Sequence, residues 1–345
     1  MGGSFADVVL SWYDRCGRKL PFRGTKDPYR IWLSEIMLQQ TRTEQMSEYY
    51  GRFLSRFPSV EALAEASEGE VLKYWEGLGY YSRARNLLKA ARCVVNDHGG
   101  RFPADAALLR SLPGVGPYTT AAVASIAFSL PEPAIDGNLT RVLSRARGIR
   151  EDVSLPSVKR QLEQTARELI SRERPGDFNQ ALMDLGAGIC VPGTPDCASC
   201  PLMPQCSAYK EGDQEALPVQ PRKVPPRPVH LNVLLIFSEG RVYMKAREEA
   251  LLKGMYVYCL SEKAPSAVLR GLRVEGAAAP AGQARHVFTH RVWEMKLYTC
   301  MASAVPAKLK PHFYTRTEMN ALPVPAAMRA AKALAEQILL EGGNA

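Results

Sequence analysis

Nowhere in this chain of 345 residues does an uninterrupted apolar run approach the roughly 20 residues that a bilayer-spanning helix needs. Its start, Met1-Gly2-Gly3-Ser4, leads straight into an amphipathic segment, without the basic, apolar and small-residue parts of a secretory signal. Both absences point to a cytoplasmic protein with no membrane partner. Acidic residues are in deficit, 35 against 44 Lys and Arg, for a formal net charge of +9, which favours a polyanionic partner. A disulfide framework is missing as well: Cys16, Cys93, Cys259 and Cys300 are scattered and read as reduced thiols. Hydrophobic residues are not scarce. At 46% they exclude wholesale disorder and can fill the cores of two domains of ordinary size.

The other four cysteines form a pattern. Cys190, Cys197, Cys200 and Cys206 have six, two and five residues between them, and the intervening residues are loop formers that leave the thiols free to converge. Four thiolates suit tetrahedral zinc, but structural zinc usually takes two Cys-x-x-Cys knuckles and only Cys197 and Cys200 form one. An iron–sulfur cube tolerates uneven loops and is held by cysteines alone. The spacing therefore favours a [4Fe–4S] cluster over zinc, with a disulfide pair as the third option.

Residues from about 4 to 210 read as a string of short helices. Phe5, Val8, Val9, Trp12 and Tyr13 share one helical face, and Ile31, Trp32, Glu35, Ile36 and Leu38 repeat the pattern. Pro28 suits the first turn of that second helix. Further helices are expected at 44–57, 82–97, 105–111, 118–129, 138–147, 155–171 and 178–189. The stretch 217–228, with five prolines and three basic residues, cannot form a helix or a central strand and is expected to be an extended linker. Beyond it the texture changes. Residues 229–237 and 241–244 look like a hairpin around Ser238-Glu239-Gly240. Strands are expected at 255–260, 284–289 and 292–300, and an alanine-rich helix at 325–340. The fold class is multidomain: an all-α domain over 1–216 that includes the cysteine loop 190–206, a basic Pro-rich linker over 217–228, and an α+β domain over 229–345.

Between two predicted helices lies Leu112-Pro113-Gly114-Val115-Gly116-Pro117-Tyr118-Thr119. Gly114 and Gly116 allow a tight turn before a helix whose first amides are unpaired, a phosphate-binding device. Downstream, Asp136 in Pro133-Ala134-Ile135-Asp136-Gly137-Asn138 can cap the next helix or hold an ionised carboxylate before a cationic transition state. Glu35 in Trp32-Leu33-Ser34-Glu35-Ile36-Met37-Leu38-Gln39-Gln40-Thr41 lies on an otherwise apolar helical face, where burial would raise its pKa.

The hairpin followed by Asp136 resembles the helix–hairpin–helix superfamily of DNA-repair glycosylases, and the segment around Glu35 resembles the MutY-type adenine DNA glycosylases within it. The likeness continues through Leu78-Gly79-Tyr80-Tyr81-Ser82-Arg83, through Asn179-Gln180-Ala181-Leu182-Met183-Asp184-Leu185-Gly186, and into the cysteine motif. It implies a base-excision enzyme for duplex DNA carrying adenine opposite 8-oxoguanine or guanine, acting as a monomer and, in a bacterium, associated with the nucleoid. It also implies Glu35 as general acid, Asp136 as stabiliser of the oxocarbenium sugar, Asn138 as its orienting partner and Tyr118 as a hydrogen-bonding member of the site. Bifunctional relatives resembling endonuclease III carry a lysine at the position of Tyr118, where an amine forms a Schiff base; tyrosine cannot. By the same resemblance Gln40 and Tyr80 would wedge into the DNA stack, and Phe22, Arg23, Leu38 and Gln180 would shape the adenine pocket, with core packing a rival role for Phe22 and Leu38.

The second domain resembles the Nudix-like recognition domain of that family, most clearly at Phe288-Thr289-His290, which is similar to a loop that probes 8-oxoguanine. Threonine replaces the serine of that loop, and a buried aromatic with a capping threonine is the alternative. The family's tryptophan-containing strand is missing around 254–258, and the loop between Cys190 and Cys197 has no lysine or arginine. A true Nudix hydrolase needs a dense carboxylate helix for magnesium, and leucines stand where the second acidic pair of Arg247-Glu248-Glu249-Ala250-Leu251-Leu252 should be. Two rivals remain, an endonuclease III-like pyrimidine glycosylase/lyase and a non-catalytic DNA-binding module.

Overall fold

The computed structural model describes residues 3–41, 43–221 and 224–341. Helices dominate as far as residue 211: α1 (Phe5–Cys16), α2 (Pro28–Leu38), α3 (Thr43–Arg56), α4 (Val60–Glu65), α5 (Glu68–Tyr74), α6 (Ser82–His98), α7 (Ala106–Ser111), α8 (Pro117–Phe128), α9 (Gly137–Arg147), α10 (Pro156–Leu169), α11 (Pro175–Gly188) and α12 (Ser207–Glu211). Their starts are written locally. Ser4 and Asp7 form a capping box on α1, Asp27 caps α2 with Pro28 in its first turn, and Asp136 caps α9. Helix α8 begins at Pro117 after Gly116 and ends at Ser129 in the left-handed conformation, with Lys26 Nζ donating to the free Ile126 carbonyl at 2.8 Å. The short α4 and α5 were not expected; at six and seven residues they span too few turns for a clear apolar periodicity.

The chain divides into two compact units, Met1–Glu65 with Lys89–Arg222 and Ala66–Leu88 with Lys223–Ala345. The sequence reading placed 66–88 in the first domain; by its packing this segment, α5 and the start of α6 included, belongs to the second unit. The first unit is built around α2 and α8, which are apolar on nearly every side and pack on each other, and around α11, which packs on α1, α8 and α9. Polar side chains on such all-round buried helices have to find partners inside.

The second unit holds β1 (Arg227–Ser238), β2 (Arg241–Tyr243), β3 (Lys245–Ala246), β4 (Tyr256–Val257), β5 (Cys259–Ser261), α13 (Pro265–Leu272), β6 (Ala279–Val287), β7 (Arg291–Met301), β8 (Phe313–Tyr314), α14 (Arg316–Ala321) and α15 (Arg329–Glu341). The main sheet runs β6-β7-β1-β2-β8, and β5 pairs with β1 beside β2. Strands β1 and β7 are parallel over eleven residues, from Arg227 opposite Arg291 to Phe237 opposite Met301. The other pairs in this sheet are antiparallel. Leu234, Ile236, Tyr243, Leu269, Val274, Cys300, Leu309 and Phe313 form its core on one face.

Strand β6 starts five residues earlier than expected, with an irregularity between Pro280 and Gly282; as an edge strand it is mostly exposed and shows little apolar alternation. The linker is also less free than its composition suggests. Leu217 is buried, its carbonyl accepts from Arg145 Nε at 3.0 Å, and the Val219 carbonyl accepts from the Val153 amide at 3.0 Å. At the other end Arg227 and Pro228 already belong to β1, while Arg222 and Lys223 lie outside the described residues. Among the described residues no helix is long and apolar enough to cross a membrane.

Candidate active site

Packing α2 on α8 brings Glu35 against Tyr118. Glu35 is only 6% exposed, and its Oε2 accepts the Tyr118 hydroxyl at 2.6 Å. Burial pushes the Glu35 carboxyl above the usual carboxylate range; the Tyr118 bond and the Arg23 charge pull it back, and the Asp136 charge pushes it further up. Burial, with the Glu35 and Asp136 charges, also raises the Tyr118 phenol well above its ordinary value. Tyr118 therefore stays protonated and donates.

Asp136 is the N-cap of α9. Its Oδ1 accepts the Leu139 amide at 2.7 Å and its Oδ2 accepts Asn138 Nδ2 at 2.8 Å. The helix start was expected to hold this carboxylate ionised. Burial raises its pKa, opposed by the Leu139 and Asn138 bonds and by the Arg141 charge, which support the ionised form. The Asn138 amide is itself fixed, because its Oδ1 accepts Arg141 Nη2 at 2.9 Å. Gly186 on α11 lets Asn138 sit this close: a Cβ there would meet the Asn138 Cβ at 2.6 Å. Asn179, fully buried, steadies the approach to Asp136 by accepting the Ala134 amide at 3.0 Å and donating to the Glu132 carbonyl at 2.9 Å.

Arg23 comes next to this group but is already committed. Its Nη1 and Nη2 bond Asp184 Oδ2 and Oδ1 at 2.6 and 2.8 Å, and Arg18 adds its backbone amide and Nε to the same carboxylate at 2.9 and 2.6 Å. Burial of Asp184 is outweighed by these cations, which hold its pKa below the usual range. Asp184 and Arg18 were given no role in the sequence reading. Phe22 is buried with its ring 6.0 Å from that of Tyr50, a core contact. Leu38 is half-buried at the last position of α2, and Gln180 Nε2 donates to the Gly176 carbonyl at 3.3 Å.

In the hairpin between α7 and α8, Gly114 has φ +76° and is exposed, and Arg110 Nη1 donates to the Val115 carbonyl at 3.2 Å. Gln40 (φ +58°) and Tyr80 (φ +46°) are both exposed non-glycine residues in the left-handed region, a strain that functional loops retain. Tyr80 lies in the second unit, where its hydroxyl is 2.7 Å from Thr289 Oγ1. The three residues at 288–290 divide their work. Phe288 is wedged between His286 and Trp293, with centroids at 4.5 and 4.9 Å, while Thr289 and His290 are exposed. In the same unit Glu248 and Glu249 stand on an exposed non-helical segment, paired with Lys245 and Arg247, an arrangement unlike a magnesium-binding carboxylate helix.

The thiols of Cys190, Cys197, Cys200 and Cys206 line one small cavity with Val142, Arg145 and Leu185. Arg145 Nη1 points at Cys190 Sγ (3.3 Å), and Arg141 Nε donates to the Cys190 carbonyl at 2.7 Å. Both arginines stand one turn apart on α9, and Arg145 is buried, with its guanidinium also donating to the Val191 and Leu217 carbonyls. Burial first, then the neighbouring thiols, lifts Cys197 above its ordinary pKa and Cys200 to about 11. Among the described residues no three His, Cys, Asp or Glu side chains form a group that could hold a metal ion.

A helical unit with a glycine hairpin, a capping aspartate and a buried glutamate defines a helix–hairpin–helix base-excision protein, and the comparisons agree. The model of the HhH-GPD superfamily base excision DNA repair protein matches residues 33–172, and that of the NUDIX domain matches 232–334. A mouse adenine DNA glycosylase is 44% identical over 230 residues, 63% of this chain and 45% of that protein, so the chain spans less than half of that relative. An adenine DNA glycosylase of Buchnera aphidicola subsp. Acyrthosiphon pisum is 33% identical over 256 residues, covering 74% of this chain and 73% of that one. A solved thermostable thymine-DNA glycosylase superposes with a TM-score of 0.55 and 33% identity over 60% of this chain and 95% of its own. The chain belongs to the MutY-type family of adenine DNA glycosylases.

Proposed function

We propose that this protein is a monofunctional glycosylase that removes adenine from duplex DNA where adenine stands opposite 8-oxoguanine or guanine. The observation that carries the reading is the buried Tyr118–Glu35 pair beside a capping Asp136. Two nearby carboxylates cannot both ionise freely in a buried site. Asp136 has an amide, an Asn138 donor and a nearby arginine to support its charge, so the shared proton belongs on Glu35. With Oε2 engaged by Tyr118, the acid proton of Glu35 is free to go to N7 of an adenine flipped out of the stack. As the glycosidic bond breaks, the sugar becomes cationic, and Asp136, held by Asn138, stabilises it. Deprotonated Glu35 then activates water to complete hydrolysis. Leu38 and Gln180 would border the adenine pocket, with Arg23 acting through its charge on Glu35.

The hairpin glycines 114 and 116 would take DNA phosphates, Gln40 and Tyr80 would enter the stack, and Thr289 with His290 would probe the opposite base. The thiolates of Cys190, Cys197, Cys200 and Cys206 would hold a [4Fe–4S] cluster. The cavity they share, its apolar lining and the Arg145 cation suit an anionic cube, whose ligands stand further apart than those of one zinc ion. That group would supply structural support to the loop that its ligands fix; hydrolysis moves no electrons. The enzyme would act as a monomer in the cytoplasm, on nucleoid DNA in a bacterium.

The test is base removal from duplexes with adenine opposite 8-oxoguanine, guanine or thymine, and with thymine opposite guanine, each with and without alkali. Adenine loss from the first two, strand breaks only after alkali and no borohydride-trapped adduct are expected. Thymine removal or efficient trapping overturns the proposal.

A further inference from the structure

We infer that Arg83 is a positioning residue that holds Tyr80 against Thr289, and that this clamp sets how strongly the protein distinguishes the base opposite adenine. The inference rests on the function proposed above. Arg83, at the start of α6, is a buried cation. Its guanidinium lies over the Trp75 ring at 5.3 Å and over the Tyr80 ring at 5.6 Å, so it connects the two aromatics. Its Nη2 also donates to the carbonyls of Leu78 and Gly79 at 3.1 and 3.3 Å, and its amide donates to the Tyr80 carbonyl at 2.8 Å. Trp75 Nε1 adds a second bond to the Gly79 carbonyl at 3.1 Å.

These contacts converge on one strained residue. Tyr80 has φ +46° without being a glycine, and a conformation of that kind persists only where its surroundings over-determine it. Its side chain is 45% exposed and ends at Thr289 Oγ1. The ring is therefore held at its base by Arg83 and at its tip by a hydroxyl of the loop proposed to probe the opposite base. Burial lowers the pKa of Arg83 to about 10, so the guanidinium is still cationic at neutral pH. Lysine cannot reproduce the arrangement, because only a planar guanidinium stacks on a ring while donating sideways to carbonyls.

The experiment measures single-turnover adenine removal opposite 8-oxoguanine and opposite guanine for the wild type, Arg83→Met, Arg83→Lys, Tyr80→Ala and the double variant Arg83→Met/Tyr80→Ala, with melting temperatures in parallel. Arg83→Met is expected to lower the 8-oxoguanine:guanine rate ratio about tenfold, with Arg83→Lys recovering only part of it. In the Tyr80→Ala background Arg83→Met should change the ratio no further, because a positioning residue acts through the side chain it places. An unchanged ratio in folded Arg83→Met, or the same loss again on top of Tyr80→Ala, overturns the inference. If Arg83→Met fails to fold, Arg83→Lys and Trp75→Phe decide, and an unchanged ratio in both overturns it. A wild type that removes no adenine defeats the proposed function instead. The clamp is then judged by amide exchange at residues 78–81 of the full chain, which Arg83→Met should accelerate and which, left unchanged, refutes it.

Discussion

Replacing Glu35 by glutamine keeps the shape of the side chain and an oxygen to accept the Tyr118 hydroxyl, now 2.6 Å away, but removes the proton. Loss of a proton donor in the transition state costs roughly two to four orders of magnitude in rate. The same substitution tests the burial of Glu35 independently of activity. Burial raises its pKa in the folded state, so the folded protein binds the proton more tightly than the unfolded chain does. The associated stability is fully present below the unfolded value, roughly 4.3, and is lost as pH rises through the folded value. Glutamine never ionises, so the melting temperature of Glu35→Gln relative to wild type should climb as pH rises above the unfolded value and level off once the folded carboxyl has ionised. Each tenfold difference in proton affinity is worth about 1.4 kcal/mol. The assays are single-turnover adenine release at saturating enzyme, and thermal unfolding of both proteins across that rise in pH. More than about a tenth of the wild-type rate would remove Glu35 from its assigned role; a pH-independent difference in melting temperature would refute the buried, raised carboxyl.

Gly186→Ala should place a methyl 2.6 Å from the Asn138 Cβ and turn Asn138 away from Asp136; we expect a destabilisation of about 1–3 kcal/mol from overpacking and a fall in single-turnover rate larger than any fall in mispair affinity, and a normal rate would show that Asn138 need not hold Asp136. Protein purified without oxygen should carry iron rather than zinc, with a broad visible absorbance, and Cys200→Ala should lose the iron and become largely insoluble because the ligands fix a loop with little core of its own; stoichiometric zinc in a colourless protein would defeat the cluster assignment.

The structure also changes how the second unit can be dissected. Val71, Leu72 and Trp75 are buried in the 66–88 segment that packs with residues 223–345, and Lys73 Nζ donates to the Leu322 carbonyl at 3.0 Å. Deleting residues 229–345 would strip that packing as well as the probing loop, so substitutions at Thr289 and His290 separate recognition from stability more cleanly than the deletion does.

What could be read from the sequence alone was local. Caps such as Asp27 before Pro28 and Asp136 before Gly137 fix helix starts within a few residues, because the side chain and the amides it satisfies are neighbours in the chain. The hairpin glycines, the cysteine spacing and the isolated carboxylate on the face of α2 were visible for the same reason. Partnerships between distant residues were not. Asp184 is 166 residues from Arg18 and Thr289 is 209 from Tyr80, while Tyr118, 83 from Glu35, was placed in the same site only through the family resemblance. Arg23 illustrates the difference: its residue type suggests a pocket lining, but only the packing of its segment near α11 shows that its guanidinium is spent on Asp184. Likewise, the helix cap at Asp136 is a local fact, while the rise in its pKa comes from burial by elements far away in the chain. Backbone propensity and capping act over one turn, whereas desolvation and the pairing of buried charges depend on which surfaces meet, and that is decided only when the helices pack.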